Sequence, residues 1–225
     1  MAGIARVIAP QKPLEDPLAH LPCSTIVEYK KGQNIYSQDQ PSTSLYLVIE
    51  GKVRVSRMAD DGHQVVVDLY QADDFFGESA LLSLPHRTES AAALENVKLM
   101  AWTTAEIEDI INKRPRLAVA LLQILAQRTI DFGQRIESFS VDNIQRRLAR
   151  TLIRFSERLG TGEPDGSTRM TPFTHELLSQ YVGTSREIVT HYMNQFRRDG
   201  YLRYSRKGIT LYRDAFKEWL RQSAR

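Results

Sequence analysis

The sequence predicts an α+β chain: a small antiparallel β barrel or roll, then a long helix, then a helical part with a helix-turn-helix and a short hairpin. Three observations predict it. Residues 24–102 hold short runs rich in β-branched and aromatic residues, separated by turn residues. Residues 118–139 repeat apolar positions at alternating spacings of four and three. After residue 170, two amphipathic segments flank a glycine, and the second opens with a capping residue.

Within the front part, Ser44-Leu45-Tyr46-Leu47-Val48-Ile49-Glu50-Gly51-Lys52-Val53-Arg54-Val55-Ser56 reads as strand, alternating apolar with polar from Val53. Asp60-Asp61-Gly62-His63 supplies hairpin turn chemistry, and Gln64–Tyr70 returns as its partner. Lys31-Gly32-Gln33-Asn34 and Asp39-Gln40-Pro41 are further turns.

The middle reads as helix from about 104 to 139. Thr103 or Thr104 caps its start, and Pro115 restarts it, because proline suits a first turn and not an interior. Ala118, Leu122, Leu125, Thr129, Phe132, Ile136 and Phe139 then form a coiled-coil seam, and Leu117, Leu121 and Ile124 form a second stripe beside it. One face can pack on its own domain while the other meets a partner; a single wide core face in a monomer is the alternative.

In the last part, Asn143–Leu159 is an amphipathic helix and 160–167 a loop. Helices follow at Thr174–Val182 and, past Gly183 with Thr184 or Ser185 as cap, from Arg186 to Gly200. Tyr201–Leu211 is a hairpin with a basic tip, and Asp214–Leu220 a closing helix. The second helix of such a pair fits a DNA major groove about 12 Å wide. Arg186 can donate twice to guanine and Glu187 can accept from a cytosine amine, with His191 on the same side. Thr184, Ser185, Thr190, Arg206 and Lys207 suit phosphate oxygens. An ordinary αα corner with a solvated charged face is the competing reading.

Charge supports the DNA reading. The 225 residues carry +3 overall, but residues 140–225 hold 16 Lys/Arg against 9 Asp/Glu, and residues 1–139 hold 14 against 18. The basic last third therefore meets a polyanion, if any part does. Composition removes other classes. Cys23 is the only cysteine, which excludes an intramolecular disulfide, a cysteine-based zinc site and a four-cysteine iron–sulfur cluster. The five histidines lack metal-ligand spacing, and no catalytic constellation emerges, so neither a metal nor an enzyme is expected. No early apolar run and no 18-residue apolar window occur, so the expectation is a cytoplasmic protein with no membrane partner.

A second candidate site lies in the front part. Phe75-Phe76-Gly77-Glu78-Ser79 reads as a strand ending in a tight glycine turn and a short helix, and Arg87-Thr88 follows at a strand start. Arginine, hydroxyls and free N–H groups make a phosphate-binding set, and Glu78 suits a ribose hydroxyl pair. Arg87 can equally pair with Glu89 or Glu78.

From about residue 20 the chain resembles the CRP/FNR superfamily of bacterial transcription regulators. The resemblance rests on Leu45–Val53, on Phe76-Gly77-Glu78 followed by Arg87-Thr88, and most specifically on Val182-Gly183-Thr184-Ser185-Arg186-Glu187-Ile188-Val189, in that order with a long helix between. It implies an N-terminal extension (1–20), a cyclic-nucleotide-binding-like β-roll (21–112), a central dimerisation helix (113–140) and a C-terminal winged helix-turn-helix (141–225). It implies a homodimer on a pseudo-palindromic double-stranded DNA site, paired through Leu122, Leu125, Thr129, Phe132, Ile136 and Phe139, with RNA polymerase as a further partner. Gly77, Glu78, Ser79, Arg87 and Thr88 would hold an effector, cyclic AMP or another small molecule.

The sequence also departs from the family pattern. Phe132-Gly133 stands where cyclic-AMP sensors carry a Thr-Ser pair, with Thr129 about one turn earlier, so Thr129 and Phe132 are the central-helix residues expected near an effector; Glu89 is a poor neighbour for an anion. The expected function is a sequence-specific DNA-binding regulator under effector control. The alternative is a ligand-binding signalling module whose tail recruits a protein.

Overall fold

Two four-stranded antiparallel sheets face each other in the front half of the computed structural model, which describes residues 14–222. Most of the extension expected over 1–20 lies outside the described residues; Pro17–Ala19 forms a single 3-10 turn. The strands are β1 (Thr25–Tyr29), β2 (Asn34–Tyr36), β3 (Ser44–Glu50), β4 (Val53–Met58), β5 (Gln64–Tyr70), β6 (Phe75–Phe76), β7 (Ser90–Ala93) and β8 (Val97–Thr103). One sheet has the order β1-β8-β3-β6 and the other β2-β7-β4-β5, so the chain crosses repeatedly between layers as a roll. The expected hairpin is β4 with β5, in register from Val53↔Tyr70 to Met58↔Gln64, with an irregularity at Val55/Ser56.

Alternation along these strands builds two apolar layers. Val48, Val53, Val55, Phe76 and Leu99 fill the space between the sheets. Leu45, Leu47 and Trp102 point the other way, onto the helices that follow. α1 (Thr104–Lys113) begins with a full capping box: Thr103 accepts from the Glu106 N–H while Glu106 returns to the Thr103 N–H. Pro115 starts α2 (Arg116–Val141), whose Leu117 and Leu121 complete this second layer.

The C-terminal part comprises α3 (Ile144–Leu159), β9 (Thr161–Gly162), β10 (Thr168–Met170), α4 (His175–Val182), α5 (Arg186–Arg198), β11 (Leu202–Ser205), β12 (Gly208–Leu211) and α6 (Arg213–Gln222). The segment expected as a plain loop over 160–167 contains β9 and leads into β10, and both join the hairpin in a sheet of order β11-β12-β10-β9. β9 is two residues long and has no alternation to read; it forms because β10 offers it an edge. Leu148, Leu152, Phe155, Leu178, Val189, Phe196 and Phe216 form the core, and Val66 and Leu69 of β5 belong to the same cluster. The roll and the C-terminal part therefore share an apolar contact. Among the described residues, no helix is long and apolar enough to cross a membrane, and no three His, Cys, Asp or Glu side chains are grouped to hold a metal ion.

Candidate functional site

The first cluster lies in the roll, where β6 runs out. Gly77 has φ +81°, a conformation most side chains resist, and a Cβ there would stand 3.0 Å from Arg87 Nη1 and 3.1 Å from Ser44 O. The turn opens a 3-10 helix, Glu78–Leu82. Arg87, 2% exposed, reaches into it. Its Nη1 donates to Gly77 O at 2.8 Å and to Ser79 Oγ at 3.3 Å, and its Nη2 donates to Ser44 O at 2.6 Å. The guanidinium thus turns to carbonyls and a hydroxyl rather than to Glu78 or Glu89.

Ser79 Oγ donates onward to Glu89 Oε1 at 3.0 Å, and Thr88 Oγ1 donates to Glu89 Oε2. Arg57 Nη2 donates to Thr88 Oγ1 at 3.1 Å. Gly77, Ser79 and Arg87 are thus brought together directly, and Thr88 joins them only through Glu89. Glu78 does not stand free for a hydroxyl pair: Arg128 of α2 holds it at 2.9 Å and also donates to Phe75 O.

Sequence reasoning missed Arg128. Its signal was the second stripe of α2, since Leu117, Leu121 and Ile124 continue at the same spacing to Arg128, Asp131 and Arg135. Of the two α2 residues expected near an effector, Thr129 is exposed and donates to Leu125 O at 2.9 Å, and Phe132 is half-buried.

Aromatic rings join the two arginines. Tyr36 stacks on Tyr46 (5.9 Å), Tyr46 on Phe76 (5.1 Å) and Phe76 on Tyr70 (5.8 Å). Arg87 lies 4.3 Å from the Tyr36 centroid and Arg128 lies 4.7 Å from that of Tyr70, a cation over each end. Burial raises the Tyr36 hydroxyl well above the phenol range, and the Glu89 charge pushes it the same way.

The second cluster is the helix pair α4–α5. Thr174 caps α4 by accepting from Leu177 N (3.0 Å), Gly183 ends it in the left-handed conformation (φ +73°), and Ser185 caps α5 by accepting from Ile188 N (3.3 Å). Val189, Met193 and Phe196 bury one face of α5. Arg186, Glu187 and His191 stand exposed on the other. Thr184 and Thr190 are half-buried, and Thr190 Oγ1 donates to Arg186 O at 2.8 Å. Tyr204 Oη of β11 donates to Asn194 Oδ1 at 2.9 Å, fastening the hairpin to α5. Its tip residues Arg206 and Lys207 are exposed; Lys207 also lines a cleft of about 370 Å³ with Lys52 and Gln71 of the roll.

The seam of α2 is partly as expected. Leu122 (65%) and Ile136 (66%) are exposed in the single chain, and so is Thr129. Leu125 and Phe132 are half-buried, while Val119, Ala126 and Gly133 are exposed in their place, so the open stripe is rotated slightly toward 119-122-126-129-133-136. Phe139 is exposed as well, and one edge of its ring lies against Gly183, where a Cβ would stand 3.0 Å from it.

Arg135 links all three parts of the chain. It donates to Val67 O (2.5 Å), Val66 O (2.8 Å) and Tyr181 O (2.8 Å), and lies 3.9 Å over the Tyr181 ring.

Residues 26–114 match the cyclic nucleotide-binding domain family, and residues 146–217 match the Crp-like helix-turn-helix domain family. The chain is 28% identical over 186 residues to a CRP-like cAMP-activated global transcriptional regulator of Mycobacterium tuberculosis, covering 82% of this chain and 83% of that one. It is 31% identical over 163 residues to transcriptional regulator SdrP of Thermus thermophilus, covering 72% and 76%. A solved CRP/FNR-family regulator from Thermus thermophilus superposes with a TM-score of 0.71 at 29% identity, covering 88% of this chain and 98% of that one. With a roll and a helix-turn-helix each matched in order, and relatives that are regulators and not enzymes, the chain belongs to the CRP/FNR family of DNA-binding transcription regulators.

Proposed function

We propose that the chain acts in the cytoplasm as a homodimer, paired along the open stripe of α2, that sets two α5 helices into a pseudo-palindromic DNA site. The observation that carries the DNA half of this reading is the division of α5: Val189, Met193 and Phe196 are buried while Arg186, Glu187 and His191 face solvent together. Arg186, Glu187 and His191 then read base edges, and Thr184, Ser185, Thr190, Arg206 and Lys207 meet the phosphate backbone. For pairing, the supporting feature is Gly133. It costs the helix about 1 kcal/mol against alanine, and among the described residues nothing beyond its own stretch of helix lies within 4 Å of a Cβ built there. A partner helix approaching closely gives it a use.

The roll is the control module in this reading. Cyclic AMP is the effector that the Mycobacterium relative's name carries. In this chain the hydroxyls and arginine that suit its phosphate are already engaged. Another small effector, or none, fits the cluster better. Where an effector does bind, the lever is the Glu78–Arg128 pair, because a ligand that displaces it changes what holds α2 to the roll.

Competitive gel shifts against a random DNA library test the DNA reading. Arg186→Ala weakens specific binding by about 1–3 kcal/mol and relaxes sequence preference, whereas Lys207→Ala weakens all DNA alike and lowers the salt slope by about 1. An unchanged specificity ratio in the Arg186 variant overturns the base-reading role.

A further inference from the structure

The donors around Arg87 are those of an anion site, yet an acceptor already sits among them. Glu89 is 9% exposed, on the residue before β7, and its side chain turns inward where that of Thr88 stays at the surface. A serine or threonine hydroxyl has one hydrogen to give. Ser79 gives its hydrogen to Glu89 Oε1, and Thr88 gives its own to Oε2. Arg87 feeds the first of these through Ser79 Oγ, and Arg57 feeds the second through Thr88 Oγ1 while standing 4.0 Å from Oε2. A buried carboxylate is costly unless hydrogen-bonded and paired, and these contacts supply both.

We propose that Glu89 is a tethered occupant of the roll's anion subsite, taking the hydrogen bonds a ligand phosphate would take, so that this chain rejects cyclic nucleotides and other phosphate-bearing effectors. The proposal deepens the reading of the roll as a control module and is separable from DNA binding. Two further facts support it. A phosphodiester seated on the same hydroxyls would lie against the largely buried Glu89 carboxylate, and like charges that close repel. Moreover, Tyr36 Oη and Arg87 Nε are buried with no hydrogen-bond partner among the described residues. The two hydroxyls of Ser79 and Thr88 are the donors Glu89 takes, and the two buried groups of Tyr36 and Arg87 remain beside it as donors that Glu89 leaves unused.

The test is calorimetric titration of the full chain with cyclic AMP and cyclic GMP, for the natural protein, Glu89→Ala and Glu89→Gln. The natural protein is expected to take up neither nucleotide at about 1 mM, a level that detects only binding stronger than about 4 kcal/mol. Glu89→Ala is expected to bind at least one of them more than about tenfold tighter, a gain that a purely structural role for Glu89 would not produce. Micromolar binding by the natural protein overturns the proposal. So does a Glu89→Ala protein that retains the native Trp102 emission and gains no affinity. If that variant does not fold, Glu89→Gln decides by the same criterion, because it keeps the shape and loses the charge. Gel shifts on the same preparations read the DNA interface independently, so failure of one reading is told apart from failure of the other.

Discussion

Arg158 Nη1 lies 2.9 Å from each of the two carboxylate oxygens of Asp68, and Nη2 donates to Leu69 O at 3.0 Å, so a helix of the DNA-binding part is pinned to a strand of the roll. The Asp68 side chain is 4% exposed and that of Arg158 is 26%. Asp74, a second carboxylate on the same guanidinium, is 3.7 Å away, and burial pushes its carboxyl up from the usual aspartate range. Removing one partner of such a pair strands the other, which costs more than the pair itself is worth.

Asp68→Asn is therefore expected to destabilise the junction by about 2–4 kcal/mol, somewhat below the figure for a fully buried pair because Arg158 retains some water. The chain carries a reporter on each side: Trp102 in the layer between roll and α2, and Trp219 on the C-terminal core. Urea unfolding of the natural protein is expected to move both emissions in one transition. In Asp68→Asn the Trp219 transition is expected to come first. A variant that unfolds in one step at the natural midpoint would remove the pin from the account.

The open stripe of α2 makes a second prediction. Leu122 and Ile136 are about two-thirds exposed in the single chain, so changing both to Glu removes little that the monomer uses. The double variant is expected to keep its single-chain stability within about 0.5 kcal/mol per site and to sediment as a monomer, because four carboxylates would face one another across the seam. Its affinity for a two-half-site DNA is expected to fall by more than about tenfold, since each half-site then binds alone. A variant that still sediments as a dimer refutes the seam.

How far the sequence could be read differs between the two sites. The helix-turn-helix was legible almost to the residue, because caps and glycine turns are local: Thr174, Gly183 and Ser185 each act on backbone within four positions. The roll's apolar alternation was legible for the same reason. The cluster around Arg87 was legible as a set of residue types but not as a state. Whether Glu89 would turn in to Ser79, 10 positions away, and whether Arg128 would claim Glu78, 50 positions away, depended on how separate segments pack. β9 was invisible because its pairing partner creates it. Phe139 is exposed as the heptad spacing expects, but its contact with Gly183, 44 positions on, is one the spacing rule cannot see.

His175 gives the last prediction, one of pH. It is the first residue of α4, its Nδ1 lies 2.8 Å from Thr190 Oγ1, and the Tyr204 ring meets it edge-on at 5.5 Å. Thr190 spends its hydrogen on Arg186 O, so Nδ1 is the donor in this contact. Burial first and the Arg186 charge second hold the imidazole below the ordinary histidine range, and the positive end of the helix acts in the same direction. With a folded value below the unfolded one of about 6.5, the neutral ring contributes stability that is whole above that pH and is lost as pH falls through the folded value. The urea midpoint of the Trp219 transition is therefore expected to drop between about pH 7.5 and pH 5 in the natural protein, and to drop less in His175→Gln, which keeps a donor and cannot be protonated. Equal losses in the two proteins would assign the titration to another group and leave His175 as a spacer between α4, α5 and the hairpin.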